Sequence, residues 1–428
     1  MTGKPTYVRW RIFVILSLAS FTAYVLRGNL SIAAPEMIAD LQLSEIQWSW
    51  VLAAFTTGYT IFQFPGGVLG DRMGPRKAVT LLCIFWTLLT IVTAAVPGTD
   101  VASATLVIGS LVTVRFLVGM FQAPIFPIIN AAICRWFPPG GWAFPCGLNN
   151  ASLTLGIAVS APVLAWLIAA YGWRISFWII APLGMLVAGL WWWYGRDFPA
   201  EHAASNPAEV ALINANRPET VVTTTYPPGW VRVLKDRNIL LLTLSYAFSN
   251  FVFYSAFSWW FYYLVEVRAF DSSTAGYATS SQWIAGAAGG ALGGWFCDHL
   301  CRKVGLCWGS RWPIIIGQVV VATAIVIGAY HGNAVVAVAC LALAFFAQQL
   351  TEGAYWNSSI AIGNQLAGAA GGVLNTGGNA MGILNAVLVA WFAQVLGWPF
   401  AIASGAIFAL IAGALLLFVR ADQPVKLD

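Results

Sequence analysis

Charge is what this sequence has least of. Asp, Glu, Lys and Arg make up 9% of its 428 residues, where a soluble domain carries about 25%. A chain so poor in charge cannot cover itself with a water-facing surface, so lipid is the expected solvent. Histidine is scarce too, with three copies, and the seven cysteines form one cluster, Cys297, Cys301 and Cys307. His299 sits inside that cluster, but the Cys-x-x-Cys spacing and the histidine pair of a zinc site are missing. Neither a metal nor a cofactor is expected. No nucleophile elbow, phosphate loop or His/Cys/Glu set stands near the apolar segments, which counts against an enzyme. No soluble signalling domain is evident, which counts against a sensor.

The remainder is apolar: 59% hydrophobic residues, with 22 Trp, a residue that gathers at membrane interfaces. A membrane span needs about 20 mostly apolar residues. Twelve such runs can be read: Arg11–Ala34, Ile46–Gly70, Ala78–Val96, Ala104–Ile128, Ala143–Ala170, Ile175–Tyr194, Ile239–Leu264, Ala275–Cys297, Trp312–Tyr330, Ala334–Tyr355, Gly368–Leu396 and Phe400–Val419. Backbone in hydrocarbon must satisfy its own hydrogen bonds, so these runs are helices. Met1–Trp10 is short and basic and the run after it is long, so span 1 is expected to stay in place rather than be cleaved as a leader. The longest polar stretch, residues 196–238, holds five prolines and reads as a tether. It divides the chain into a six-helix bundle (1–195), a linker (196–238) and a second six-helix bundle (239–428).

With the N-terminus inside, the inner segments hold seventeen Lys and Arg, and the outer ones only Arg174 and Arg268. This asymmetry places both termini in the cytoplasm. It accounts for the net charge of +5 without nucleic acid as a partner. The short loops favour a bacterial plasma membrane over an organelle, and a monomer is expected.

The halves echo each other. Gly67-Val-Leu-Gly-Asp71-Arg72-Met-Gly74-Pro-Arg76-Lys77 follows span 2, and Gly294-Trp-Phe-Cys-Asp298-His-Leu-Cys-Arg302-Lys303-Val-Gly305 follows span 8. Asp298 comes 227 residues after Asp71 (298 − 71), and Gly397-Trp398 comes 225 after Gly172-Trp173 (397 − 172). Two landmarks with nearly one offset point to a duplicated six-helix unit, an architecture of secondary transporters that bind ligand between the halves near mid-bilayer.

Three charges fall inside predicted spans. A charge at the bilayer centre costs about 2.5–3.5 kcal/mol on insertion scales, so each calls for a reason. Arg27 in span 1 shares a face with Tyr24 and Ser31, and Arg115 in span 4 shares one with Gln122. Their counterparts about 226 residues on are near Phe253 and Leu341, so duplication does not explain them. Two guanidinium groups facing one cavity would hold an anion, since Arg grips carboxylate or phosphate through paired hydrogen bonds. The competing reading is that either arginine snorkels to an interface or pairs with carbonyls. Glu352, with Gln348 and Tyr355, makes a polar stripe on span 10, and Asn375 and Asn379 lie in a Gly-rich run of span 11. The competing readings there are a cytoplasmic edge for Glu352 and interhelical glue for the amides.

The loop Gly67–Lys77 resembles the signature loop of the major facilitator superfamily. Its physical role can be read from the residues: Asp71 can cap a neighbouring helix N-terminus, while Arg72, Arg76 and Lys77 would hold a cytoplasmic gate through ion pairs. The competing reading is a plain topogenic turn. Four further segments resemble the anion:cation symporter branch, which includes sugar-acid permeases, sialin and vesicular glutamate transporters. They are Arg27–Pro35, Arg115–Pro124, Gly172-Trp173-Arg174 and Leu374–Asn379. The resemblance implies an all-α fold of two pseudo-symmetric six-helix bundles. It also implies substrate contacts at Arg27, Tyr59, Glu352, Tyr355 and Asn375, and a coupling or substrate role for Arg115 with Ser152 close by; Gln122 and Asn379, on the faces of Arg115 and Asn375, are expected at the same site. The substrate would be a small organic anion moved with a proton or another ion. Proton-coupled members carry Asp before the span 1 Arg and Glu seven residues after the span 4 Arg, where this chain has Leu26 and Gln122. Neither can take a proton, so Glu352, the one carboxylate in a predicted span, is the expected coupling residue; the rival is an exchanger or uniporter. Drug antiporters of the superfamily carry a Gly-Pro-Gly-Gly type motif in span 5, where this chain reads Gly156-Ile-Ala-Val-Ser-Ala-Pro162.

Overall fold

The computed structural model describes residues 3–215 and 229–426; the middle of the expected linker, 216–228 with Arg217, Pro218, Pro227 and Pro228, lies outside them. The first half contains α1 (Val8–Asp40), α2 (Glu45–Ile61), α3 (Gln63–Met73), α4 (Pro75–Ala94), α5 (Ala104–Gln122), α6 (Ile125–Trp136), α7 (Ala143–Ile180) and α8 (Pro182–Tyr194). A short α9 (Pro207–Asn214) follows. The second half contains α10 (Arg237–Ser258), α11 (Trp260–Tyr262), α12 (Ser272–Val304), α13 (Leu306–Tyr330), α14 (Ala334–Gly363), α15 (Ala367–Leu396), α16 (Trp398–Ala403) and α17 (Gly405–Leu415).

Among the described residues, eight stretches of helix are long and apolar enough to cross a membrane, and two of them, of 52 and 63 residues, hold two crossings each. The pair α2–α3, broken at Phe62, and α12, rich in Gly, Ala and Ser, complete twelve. The break at Phe62 leaves α2 with 17 residues and α3 with 11, and α12 packs on both α14 of its own half and α7 of the other.

Four glycines mark the duplication in the backbone. Gly74 and Gly305 have φ 82°, and Gly172 and Gly397 have φ 77° and 85°, the left-handed region that glycine enters without a Cβ penalty. Gly172 is the one non-helical residue inside α7 and separates spans 5 and 6. Span 10 runs eight residues past the expected Tyr355 end, to Gly363. Its polar tail stays helical because partner helices satisfy it: Asn357 Nδ2 donates to Ser310 Oγ at 2.8 Å and Asn130 Nδ2 to Ser359 Oγ at 3.3 Å.

Two matching contacts join the halves. Asp71 at the end of α3 accepts from the backbone N–H of Gly368 (3.0 Å) and Ala369 (2.7 Å), at the start of α15. Asp298 in α12 accepts from Ala143 (2.9 Å) and Phe144 (3.0 Å), at the start of α7. A carboxylate at a helix N-terminus meets free N–H donors and the positive end of the macrodipole. Glycines let the backbones meet there: a Cβ on Gly67 would overlap the Gly368 carbonyl, and one on Gly294 the Ala143 carbonyl. The expected ion pairs at this gate are not what holds it. Arg76 turns to its own half, donating to the Trp192 carbonyl at 2.9 Å, and Arg72 is exposed. Among the described residues the ion pairs are Arg9–Glu209, Arg174–Asp40 and Arg420–Asp422.

Both chain ends lie on this closed side. Glu209 of α9 is buried and accepts from the Tyr7 and Arg9 backbone and from the Arg9 guanidinium. At the other end, Val425 N–H donates to the Ile362 carbonyl at 2.8 Å, and Arg232 donates to the Lys426 carbonyl at 3.2 Å.

Candidate functional site

A cavity of about 270 Å³ lies between the halves, near the lower end of small-molecule pockets (about 300–1,000 Å³). The first half contributes α1, α2, α6 and α7; the second contributes α10, α14 and α15. Of the residues expected at the site, Arg27, Tyr59, Glu352, Asn375 and Asn379 line it together.

Arg27 is held by rings. Its guanidinium lies 4.8 Å from the Tyr59 ring centroid, 4.9 Å from Phe55 and 5.4 Å from Tyr24. Cation–π contacts of about 0.5–2 kcal/mol each fix its position while leaving N–H donors available. One donor reaches the Tyr24 hydroxyl at 3.5 Å, and no carboxylate pairs with the group among the described residues. The aromatics at Tyr24, Phe55 and Tyr59 therefore act as a cradle that does not neutralise the charge.

Glu352 stands on the α14 wall, 4% exposed. Tyr246 donates its hydroxyl to Glu352 Oε2 at 3.1 Å. No basic side chain pairs with it among the described residues. Glu352 lines the cavity, and α14 continues for eleven residues beyond it. On α15, Asn379 accepts from the Tyr254 hydroxyl at 2.7 Å, and Asn375 Nδ2 crosses to Gln63 Oε1 at 2.9 Å.

The other expected residues point elsewhere. Arg115 is buried, with its guanidinium 4.9 Å from the same Phe55 ring and its Nε without a hydrogen-bond partner. It sits behind Phe55 and does not line the cavity. Gln122 Nε2 donates to the Ala23 carbonyl (3.4 Å), and Ser152 Oγ to the Ser17 carbonyl (2.8 Å); both tie helices of the first half together. Tyr355 is fully buried against Ser245, 2.8 Å from its Oγ.

The stripe on α14 is therefore rotated by one residue from the one expected. Gln349, Glu352 and Trp356 face the cavity, while Gln348 bonds Ser249 at 2.8 Å inside the bundle. Gln349 is buried with neither side-chain polar atom partnered, and the Nδ2 of Asn150 on α7 is likewise unpartnered. Sequence reasoning missed both, along with Tyr246 and Trp356. The i, i+3, i+7 spacing from Gln349 through Glu352 was a visible signal, but adjacent glutamines gave two overlapping stripes.

Comparison with known proteins gives one architecture. The family model "Major Facilitator Superfamily" matches residues 16–386. The chain is 27% identical over 431 residues to the probable galactarate/D-glucarate transporter GarP of Escherichia coli (strain K12), covering 98% of this chain and 96% of that protein. It is 29% identical over 419 residues to a hexuronate transporter of Bacillus subtilis (strain 168), covering 96% and 94%. The crystal structure of the transporter FucP in its outward conformation superposes with a TM-score of 0.71 at 16% identity, covering 95% of this chain and 98% of that one.

Proposed function

The chain belongs to the major facilitator superfamily, and from that membership we propose that it moves a small organic anion, a carboxylate such as a sugar acid, by alternating access and in symport with a proton. One observation carries this reading: Arg27, a half-buried guanidinium with no carboxylate partner among the described residues, lines a central cavity and is cradled by Tyr24, Phe55 and Tyr59. The relatives named for galactarate, glucarate and hexuronate support the carboxylate.

Both termini lie in the cytoplasm, and the paired caps at Asp71 and Asp298 close the cavity to that side. The two bundles, 1–195 and 239–428, rock about the cavity with 196–238 as tether. In the outward-open conformer the anion reaches Arg27. Asn375 and Asn379 then contact it from the second half, so closure of the outer side needs ligand present. Glu352 is the coupling residue, taking a proton from outside and releasing it inside. Arg115 supports Arg27 across the Phe55 ring rather than touching the ligand. An exchanger is the second reading, favoured by Leu26 and Gln122 standing where coupled relatives hold acids.

The test is a thermal-shift screen of sugar acids, dicarboxylates, aromatic acids and phosphate esters on the purified chain, followed by uptake of the best ligand into proteoliposomes with and without a proton gradient. Stabilisation by carboxylates is expected because a ligand shifts the equilibrium toward the state it binds. Stabilisation by cationic dyes alone would overturn the anion reading. Uptake indifferent to the gradient would select the exchanger.

A further inference from the structure

The cavity has two poles. Among the described residues, Arg27 stands on the first-half wall without an acid beside it, and Glu352 on the second-half wall without a base beside it. Buried charges are paired or neutralised, and what Glu352 has are neutral donors, the Tyr246 hydroxyl at 3.1 Å and Trp356, rather than a cation. The titratable groups that share its cavity are Arg27, Tyr24, Tyr59, Cys146, Tyr246 and Tyr254. Of these only Arg27 is a cation, and its guanidinium is seated among rings on the opposite wall. The neutralising partner of Glu352 must therefore come from solution.

The surroundings of Glu352 favour a cation. The Tyr246 ring lies 6.3 Å from Trp356, Trp356 lies 6.2 Å from Phe126, and Phe126 lies 5.9 Å from Tyr24, centroid to centroid. These rings run from the carboxylate to the guanidinium cradle. Aromatic faces beside a carboxylate are a receptor for an ammonium group, which gains both a counter-ion and cation–π attraction. We propose that the cavity takes acids that also carry an ammonium group, with the oxyanion on Arg27 and the ammonium on Glu352. This rests on the anion reading of the site and narrows its substrate class.

The assignment also gives Glu352 a defined relation to coupling. With a simple acid, a proton must sit on Glu352 for the loaded cavity to be neutralised. With a zwitterion, the ligand brings its own positive charge and the proton is displaced. Proton and ammonium compete for one carboxylate, so a zwitterion travels without the proton that a simple acid requires.

The experiment measures binding of matched pairs to the purified full-length chain: butyrate with 4-aminobutyrate, hexanoate with 6-aminohexanoate, and gluconate with 2-amino-2-deoxygluconate, at about pH 7.5 and about pH 5.5. At least one amino member should bind ~10-fold more tightly than its partner at the higher pH. Acidification should shrink that ratio, because protons then occupy Glu352. In Glu352→Gln the ratio should fall to about one; if that variant does not fold, the pH dependence of the ratio in the native chain carries the same test. Gluconate binding with no amino preference in any pair overturns this inference and leaves the anion reading intact. Failure of every acid in both series sinks the anion reading itself.

Discussion

Placed on one another at an offset of about 226 residues, the two halves trade charge for phenylalanine at the cavity. Arg27 of the first half corresponds to Phe253 of the second, and Glu352 of the second corresponds to Phe126 of the first; all four line the cavity. The closure behaves in the opposite way. Asp71 capping α15 and Asp298 capping α7 are the same contact made twice. So are the Gly67–Gly368 and Gly294–Ala143 approaches, and so are the Gln122–Ala23 and Gln348–Ser249 ties. The backbone machinery must work identically on both sides of the axis for the halves to close evenly, so duplication is preserved there. The ligand has no such symmetry, and the cavity is where the copies diverge.

The strongest way to break that comparison is to remove one pole. Arg27→Ala should abolish transport while the protein still folds and inserts. Losing one partner of a buried charged contact costs about 2–5 kcal/mol, or ~30-fold and more in affinity. Ligand binding by calorimetry together with size-exclusion profiles checks this, and normal uptake would refute the site. Removing the other pole should act differently. Glu352→Gln should cut proton-driven accumulation by about an order of magnitude, as befits loss of an intramembrane proton site, while exchange of internal for external substrate survives. Proteoliposome assays with and without a pH gradient distinguish the two.

The symmetric part should respond symmetrically. Asp71→Asn and Asp298→Asn each weaken one cap by about 1 kcal/mol, which shifts the closed–open balance ~5-fold. The two sites share no partner, so the double variant should approach the product, ~25-fold. Distance measurements between spin labels on the closed side read this directly; a large effect from one Asp and none from the other would break the symmetry argument. The smallest expected effects concern the α14 register. Trp356→Phe should raise KM about 3-fold. Tyr355→Phe should leave KM alone and cost about 1 kcal/mol of stability through its bond to Ser245.

The fold and the closure were legible because they depend on local rules: apolar length, glycine at left-handed turns, and a carboxylate at a helix start. The echoed motifs at Asp298 and Gly397 revealed the duplication and its offset without any structure. The register of α14 was not legible. Gln348 and Gln349 are adjacent and alike, and only tertiary packing decides which faces Ser249 and which faces the cavity. Arg115 misled for a related reason. Helical spacing placed it on the face of Gln122, but that face packs inside the first half, and Phe55 stands between it and the cavity. The role expected of Arg72 and Arg76 failed because charge alone does not say which half a long side chain turns toward. Arg76 finds the Trp192 carbonyl and ring within reach of its own bundle.

At the Gly67–Gly368 and Gly294–Ala143 crossings the seal is backbone laid on backbone, with the capping carboxylates of Asp71 and Asp298 beside it. Apart from those two carboxylates, few side chains there need to repack when the bundles part. The same bareness makes it a lock with a keyhole. One methyl group, as in Gly67→Ala, would wedge the bundles apart and prop the carrier open on the sealed side, which makes that variant a practical handle for capturing the opposite conformer.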